Sequence, residues 1–167
     1  MNHFELFGIP VSLAPDTSLL KQKYYELSRK YHPDLHAGDS EMEQAEILEK
    51  SSQVNKAYKV LQSHDETVKY VLQLKDLLEE EEKYQLPPAF LMEVMELNEL
   101  LTEAKMDNDN EKIQSVKLEI AQMTNTIYEP VKDIIENYEE GSTTTKELLQ
   151  VKEYYYKKKY LNRIIQI

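Results

Sequence analysis

Apolar residues along this chain recur at helical rather than strand spacing. No stretch alternates apolar and polar residues for long enough to make a sheet, so the pattern predicts an all-α protein. "HFELFGIP" reads as one short turn of helix ending at Gly8 and Pro10. In the next helix, capped by Asp16 or Thr17, Leu20, Tyr24, Leu27 and Tyr31 follow at i, i+4, i+7 and i+11 and form one narrow stripe. Pro33 pushes His32 out of helical space, so this helix is expected to stop at Tyr31. Asp39 or Ser40 caps a long helix to about Leu61, with Val54, Ala57, Tyr58 and Leu61 on one face. A further helix after "SHDE" carries Val68, Val71, Leu72 and Leu77.

Four consecutive glutamates and the Pro87-Pro88 pair then interrupt the pattern. They divide the chain into an N-terminal helical unit (1–75), a linker (76–87) and a C-terminal unit (88–167). The second unit reads as three amphipathic helices, about 88–105, 110–138 and 144 to the end, forming an antiparallel bundle. Pro130 should kink the middle one or divide it. In its first helix Phe90, Val94, Leu97, Leu101 and Ala104 share one stripe at 100° per residue and are the expected core. Leu91, Met92 and Met95 fall on a second face, with Glu96, Glu99 and Glu103.

The 167 residues are rich in helix formers and hold only three glycines and no cysteine. Without thiols there are no disulfides, no cysteine nucleophile, no zinc–thiolate site and no protein-ligated iron–sulfur cluster; a reducing cytoplasm is the expected home. No apolar run reaches membrane-spanning length, and "MNHFELFGIP" lacks the features of a signal peptide. The net charge of −11 is unevenly spread. Residues 17–36 carry four bases against two acids, residues 76–111 twelve acids against two bases, and residues 146–163 six bases against two acids. Such segregation points to charged protein surfaces as partners, and the acidic whole argues against nucleic acid despite the basic, tyrosine-rich "YYYKKKY".

The sharpest local feature is His32-Pro33-Asp34. An acid–base pair there would need a substrate pocket and a shifted pKa, and neither a glycine-rich phosphate loop nor a nucleophile elbow accompanies it. A metal site using His32, Asp34 and His36 would need an i, i+4 helical geometry that Pro33 breaks. The plain alternative is a capped turn. The context, a helix with a basic solvent face ahead of the corner and a second long helix after it, favours docking.

"LKQKYYELSRKYHPDL" followed by "QVNKAYKVL" resembles a J domain, the module that docks on DnaK-type chaperone ATPases. More narrowly, "HFELFGIP" and "PPAFLMEVMELNE" resemble the HscB-type J-domain co-chaperones of iron–sulfur cluster assembly, over nearly the whole chain. The resemblance implies an antiparallel helical hairpin with short helices, then a three-helix domain that binds an IscU-like scaffold. It implies an HscA or DnaK-type ATPase as the other partner, and no catalytic activity or cofactor of its own. His32, Pro33 and Asp34 match the family element, and Lys21, Lys23, Arg29 and Lys30 fall in its chaperone-facing helix. Tyr25 and Glu26 stand where many J domains are more basic. Leu91, Met92, Met95, Glu96, Glu99 and Glu103 match the scaffold-binding helix, and Tyr160 resembles an aromatic position that completes it; a core role for Tyr160 remains open. The other readings are a J-domain co-chaperone for different clients and a helical interaction protein unrelated to chaperones.

Overall fold

The computed structural model describes residues 1–166, and among them every regular element is helical. They divide by contacts into two compact units, Met1–Leu74 with Tyr138–Ser142, and Lys75–Asn137 with the chain from Thr143 onward.

In the first unit α1 (His3–Phe7) opens with a reciprocal cap. The Glu5 N–H donates to Asn2 Oδ1 (2.9 Å) and the Asn2 N–H to Glu5 Oε2 (3.2 Å). Gly8 closes the helix at φ 65°, a left-handed conformation that costs glycine least. In α2 (Thr17–Lys30) Asp16 takes the cap by accepting from the Leu19 N–H. In α3 (Glu41–Leu61) Ser40 does so by accepting from the Glu43 N–H. α2 and α3 pair as a hairpin. Tyr24 stacks on Tyr58 with ring centroids 4.0 Å apart and donates its hydroxyl to Asn55 Oδ1 at 2.9 Å. α4 (His64–Leu74) is tied to the end of α3 by Thr67, a buried hydroxyl bonded to the Val60 and Leu61 carbonyls, as a buried polar group must be.

The apolar core of this unit gathers at one end. Phe4, Phe7, Leu13, Leu20, Val54, Ala57, Leu61, Val68, Val71 and Leu72 are buried. From residue 21 to residue 53 no side chain is. Of the expected α2 stripe only Leu20 is fully covered; Tyr24, Leu27 and Tyr31 are half-buried.

α4 ends earlier than its apolar spacing predicted. Asp76 has a positive φ of 57°, which turns the chain out of helix, so Leu77 lies beyond the helix, half-buried, while Leu78, already in the second unit, is buried.

The second unit contains α5 (Pro88–Met106), α6 (Asn110–Tyr128) and α8 (Thr145–Ile164), each packed on the other two. A short connection returns α6 along α5, with Asp109 capping α6 through the Lys112 N–H. All five expected α5 core positions are buried. Pro130 divides the middle stretch: α6 ends at Tyr128, a 3-10 turn spans Glu129–Val131, and the short α7 (Lys132–Glu136) follows. Residues 76–87, expected as linker, contain no helix but are docked within this unit. Glu82 pairs with Lys152 at 2.6 Å, and Tyr84 stacks on Tyr156 at 4.6 Å.

Candidate functional site

The corner at the tip of the hairpin follows from one residue. Pro33 holds His32 extended at φ −71°, ψ 128° and starts a 3-10 turn over Pro33–His36. The Asp34 N–H donates to His32 Nδ1 at 3.2 Å, so the histidine caps the turn that its neighbour creates. Its Nδ1 lies 3.8 Å from the Asp34 carboxylate, and both side chains are open to solvent, 56% and 90% exposed. The pair is thus presented outward on a stiff bend.

The corner borders a groove of about 760 Å³ along the outer face of α2, lined by Tyr25, Glu26, Arg29, His32, Asp34 and Leu35 among others. Tyr25 is 52% exposed and Leu35 70%, so the groove offers apolar side chains beside the charges of Glu26, Arg29 and Asp34. Of the expected basic residues only Arg29 lines it. Lys23 leans toward Glu26 at 3.9 Å, Lys21 lies over the Tyr25 ring and Lys30 over the Tyr31 ring. Sequence reasoning missed Leu35 as a groove residue; its signal was an apolar side chain in an otherwise polar loop.

His36 holds the corner from behind. Its two ring nitrogens lie 2.9 Å from the Lys30 carbonyl and 2.9 Å from the Asp39 carboxylate. Both partners only accept, so the doubly protonated ring satisfies both, and the Lys30 carbonyl bond foremost, then Asp39, raises its pKa above 6.5. That arrangement removes His36 from any metal set, and no group of three potential metal-ligating residues occurs among the described residues.

The α5 face forms a second candidate surface. Met92, Glu96, Glu99 and Glu103 follow at i, i+4, i+7 and i+11 and are exposed, with Met95 beside them. Met92 is 64% and Met95 43% exposed, whereas Leu91 is half-buried. Among the described residues Glu96, Glu99 and Glu103 form no ion pair, so the row keeps its negative charge. Tyr160 meets α5 through the Phe90 ring, at a centroid distance of 6.3 Å, and lies beneath the Arg163 guanidinium. Leu100, 38% exposed, was not anticipated; it borders a cleft between α5 and α6 with Glu93, Glu96, Glu119 and Met123. Among the described residues no helix is long and apolar enough to cross a membrane.

Comparison with known proteins matches both units. Residues 2–70 fit the DnaJ domain family, and residues 86–166 fit the family described as the HSCB C-terminal oligomerisation domain. The co-chaperone protein HscB homolog of Vibrio vulnificus strain YJ016 is 40% identical over 112 residues, and that of Vibrio campbellii 38%. Each alignment takes in 66% of this chain and 66% of the relative, just under two thirds of the relative's length. Chaperone HscB from Vibrio cholerae superposes with a TM-score of 0.77 at 27% identity, covering 98% of this chain and 92% of that one. Human co-chaperone HscB does so with a TM-score of 0.81 at 26% identity, covering 98% and 78%.

Proposed function

The chain belongs to the HscB family of J-domain co-chaperones, and we propose from that premise that it carries an IscU-like iron–sulfur scaffold to an HscA or DnaK-type chaperone. It acts as an adaptor in the cytoplasm and leaves ATP hydrolysis to its partner. The observation that carries this reading is the pairing of an outward-facing His32-Pro33-Asp34 corner in one compact unit with an exposed, unneutralised methionine–glutamate face in the other.

The corner and its groove engage the ATPase. Arg29 meets acidic groups on the chaperone, Tyr25 and Leu35 supply apolar contact, and the proline-restricted turn fixes the local geometry of His32 and Asp34. Lys21, Lys23 and Lys30 on the same helix add positive field around it. On α5, adaptable Met92 and Met95 form the apolar centre, and Glu96, Glu99 and Glu103 select a scaffold surface that pairs apolar and basic groups.

The test is His32→Gln in the full chain. Stimulation of the chaperone's steady-state ATP turnover is expected to be lost while calorimetric affinity for the scaffold is retained. Undiminished stimulation would remove the docking role of the corner. Concurrent loss of scaffold binding would show that the two surfaces do not act separately.

A further inference from the structure

The basic, tyrosine-rich end of α8 has no part in the reading above beyond Tyr160. It forms one side of a cleft of about 280 Å³ whose other side is the non-helical segment 82–86. Tyr84, Tyr156 and Tyr160 line it, with Lys83, Lys159 and Arg163. The wall is pre-built. Tyr84 and Tyr156 lie parallel within 5°, and the Glu82–Lys152 ion pair pins the segment that carries Tyr84. Lys159 sits 5.9 Å from the Tyr156 ring centre and Arg163 5.3 Å from that of Tyr160, so the cations are held at the aromatic faces.

Charge decides what fits. Among the described residues neither Lys83, Lys159 nor Arg163 forms an ion pair, while the lining carboxylate Glu82 is already engaged by Lys152. Burial foremost, then Glu153 and Glu82, raises the Tyr84 pKa; burial, then Glu82 and Glu80, raises that of Tyr156. Both phenols therefore stay protonated and can donate to an anion. The half-buried Tyr84, Leu86 and Tyr160 side chains leave apolar surface beside the cations, which an inorganic anion would leave unused. A nucleic-acid strand would use both, but its continuing phosphates would run into the glutamates at 79–82 and a chain of net charge −11.

We propose that this cleft binds an acidic segment of a protein partner, its carboxylates meeting Lys83, Lys159 and Arg163 and an apolar side chain lying on the tyrosines. The site adjoins the α5 face through Tyr160 but selects the opposite charge, so a partner using both presents basic and acidic patches.

The experiment is fluorescence anisotropy of the full chain with a fluorescein-labelled, glutamate-rich peptide carrying a central leucine, beside a lysine-rich peptide of the same length. Lys159→Glu with Arg163→Glu is expected to weaken the acidic peptide at least tenfold, and Lys159→Gln with Arg163→Gln less, with helix content unchanged by circular dichroism. Met92→Ala is expected to leave that peptide's affinity as it was. Failure of the acidic peptide to bind, or equal binding by wild type and both variants, overturns the proposal. So does full displacement of the peptide by inorganic phosphate, which would make this a small-anion site. Tighter binding of a single-stranded oligonucleotide would overturn it too, as would sedimentation showing self-association that the charge reversals abolish. None of these results bears on scaffold binding at α5, which its own titration tests.

Discussion

Val94 and Met92 are two residues apart on one helix, and substituting each by alanine should have opposite consequences. Val94 is fully buried, and Met92 is 64% exposed. Val94→Ala removes two methylene-sized groups worth about 0.8 kcal/mol each in burial. Where the core does not close up, the void adds up to about 1.3 kcal/mol at ~24 cal/mol per Å³. The better helix propensity of alanine returns about 0.5 kcal/mol, leaving a net loss near 2 kcal/mol. For a unit of this size that lowers the melting temperature by roughly 8–16 °C. Met92 has only about a third of its surface left to lose, or about 0.7 kcal/mol of a full value near 2, and propensity again offsets part. Its variant should melt within roughly 2–4 °C of wild type. Binding reverses the order: Met92→Ala should weaken the scaffold at least tenfold, about 1.4 kcal/mol, as removal of a central anchor does. Thermal melts followed by circular dichroism, beside calorimetric titration of the same samples, decide it. Equal melting losses for both variants would make Met92 a core residue. Normal binding by Met92→Ala would strip the α5 face of its role.

Two further outcomes follow from the hairpin. Arg29→Glu should reduce ATPase stimulation more than Lys23→Glu, because Arg29 lines the groove and Lys23 leans toward Glu26 instead; the gap should narrow between about 0.1 M and about 0.5 M salt, and a salt-independent gap would contradict an electrostatic contact. His36 has a raised folded-state pKa, so its contribution to holding the corner is complete below its ordinary value of 6.5 and is lost as pH rises through the folded value; an NMR titration should place its midpoint above 6.5 and Asp39→Asn should lower it, while a wild-type midpoint at or below 6.5 would refute the arrangement.

The α5 stripe was legible residue by residue, because a helix packed on two neighbours buries whatever recurs at 3.6 spacing. The hairpin stripe was less so. Tyr24, Leu27 and Tyr31 have the right spacing but face a single partner helix, so periodicity overstated their burial. The end of α4 was misplaced because Asp76 adopts a positive φ that no neighbouring residue type announces, which left Leu77 half-buried beyond the helix. The His32-Pro33-Asp34 bend was readable from the restrictions of proline alone. The clamp by His36 was not: its partners are a backbone carbonyl on the preceding helix and a carboxylate that sequence had offered as a helix cap.

Because the core of the first unit lies wholly at one end, its amide protons should exchange on two scales. Around Phe4, Val54 and Val71 exchange requires opening of the whole unit. Toward the corner, roughly 20 Å up α3 at 1.5 Å per residue, no buried side chain restrains the backbone, and brief separation of the two helices is enough. The corner end is thus expected to be the part that a protease nicks first, and if it docks a chaperone as proposed, deuterium uptake at residues 28–45 should fall on binding and gauge occupancy.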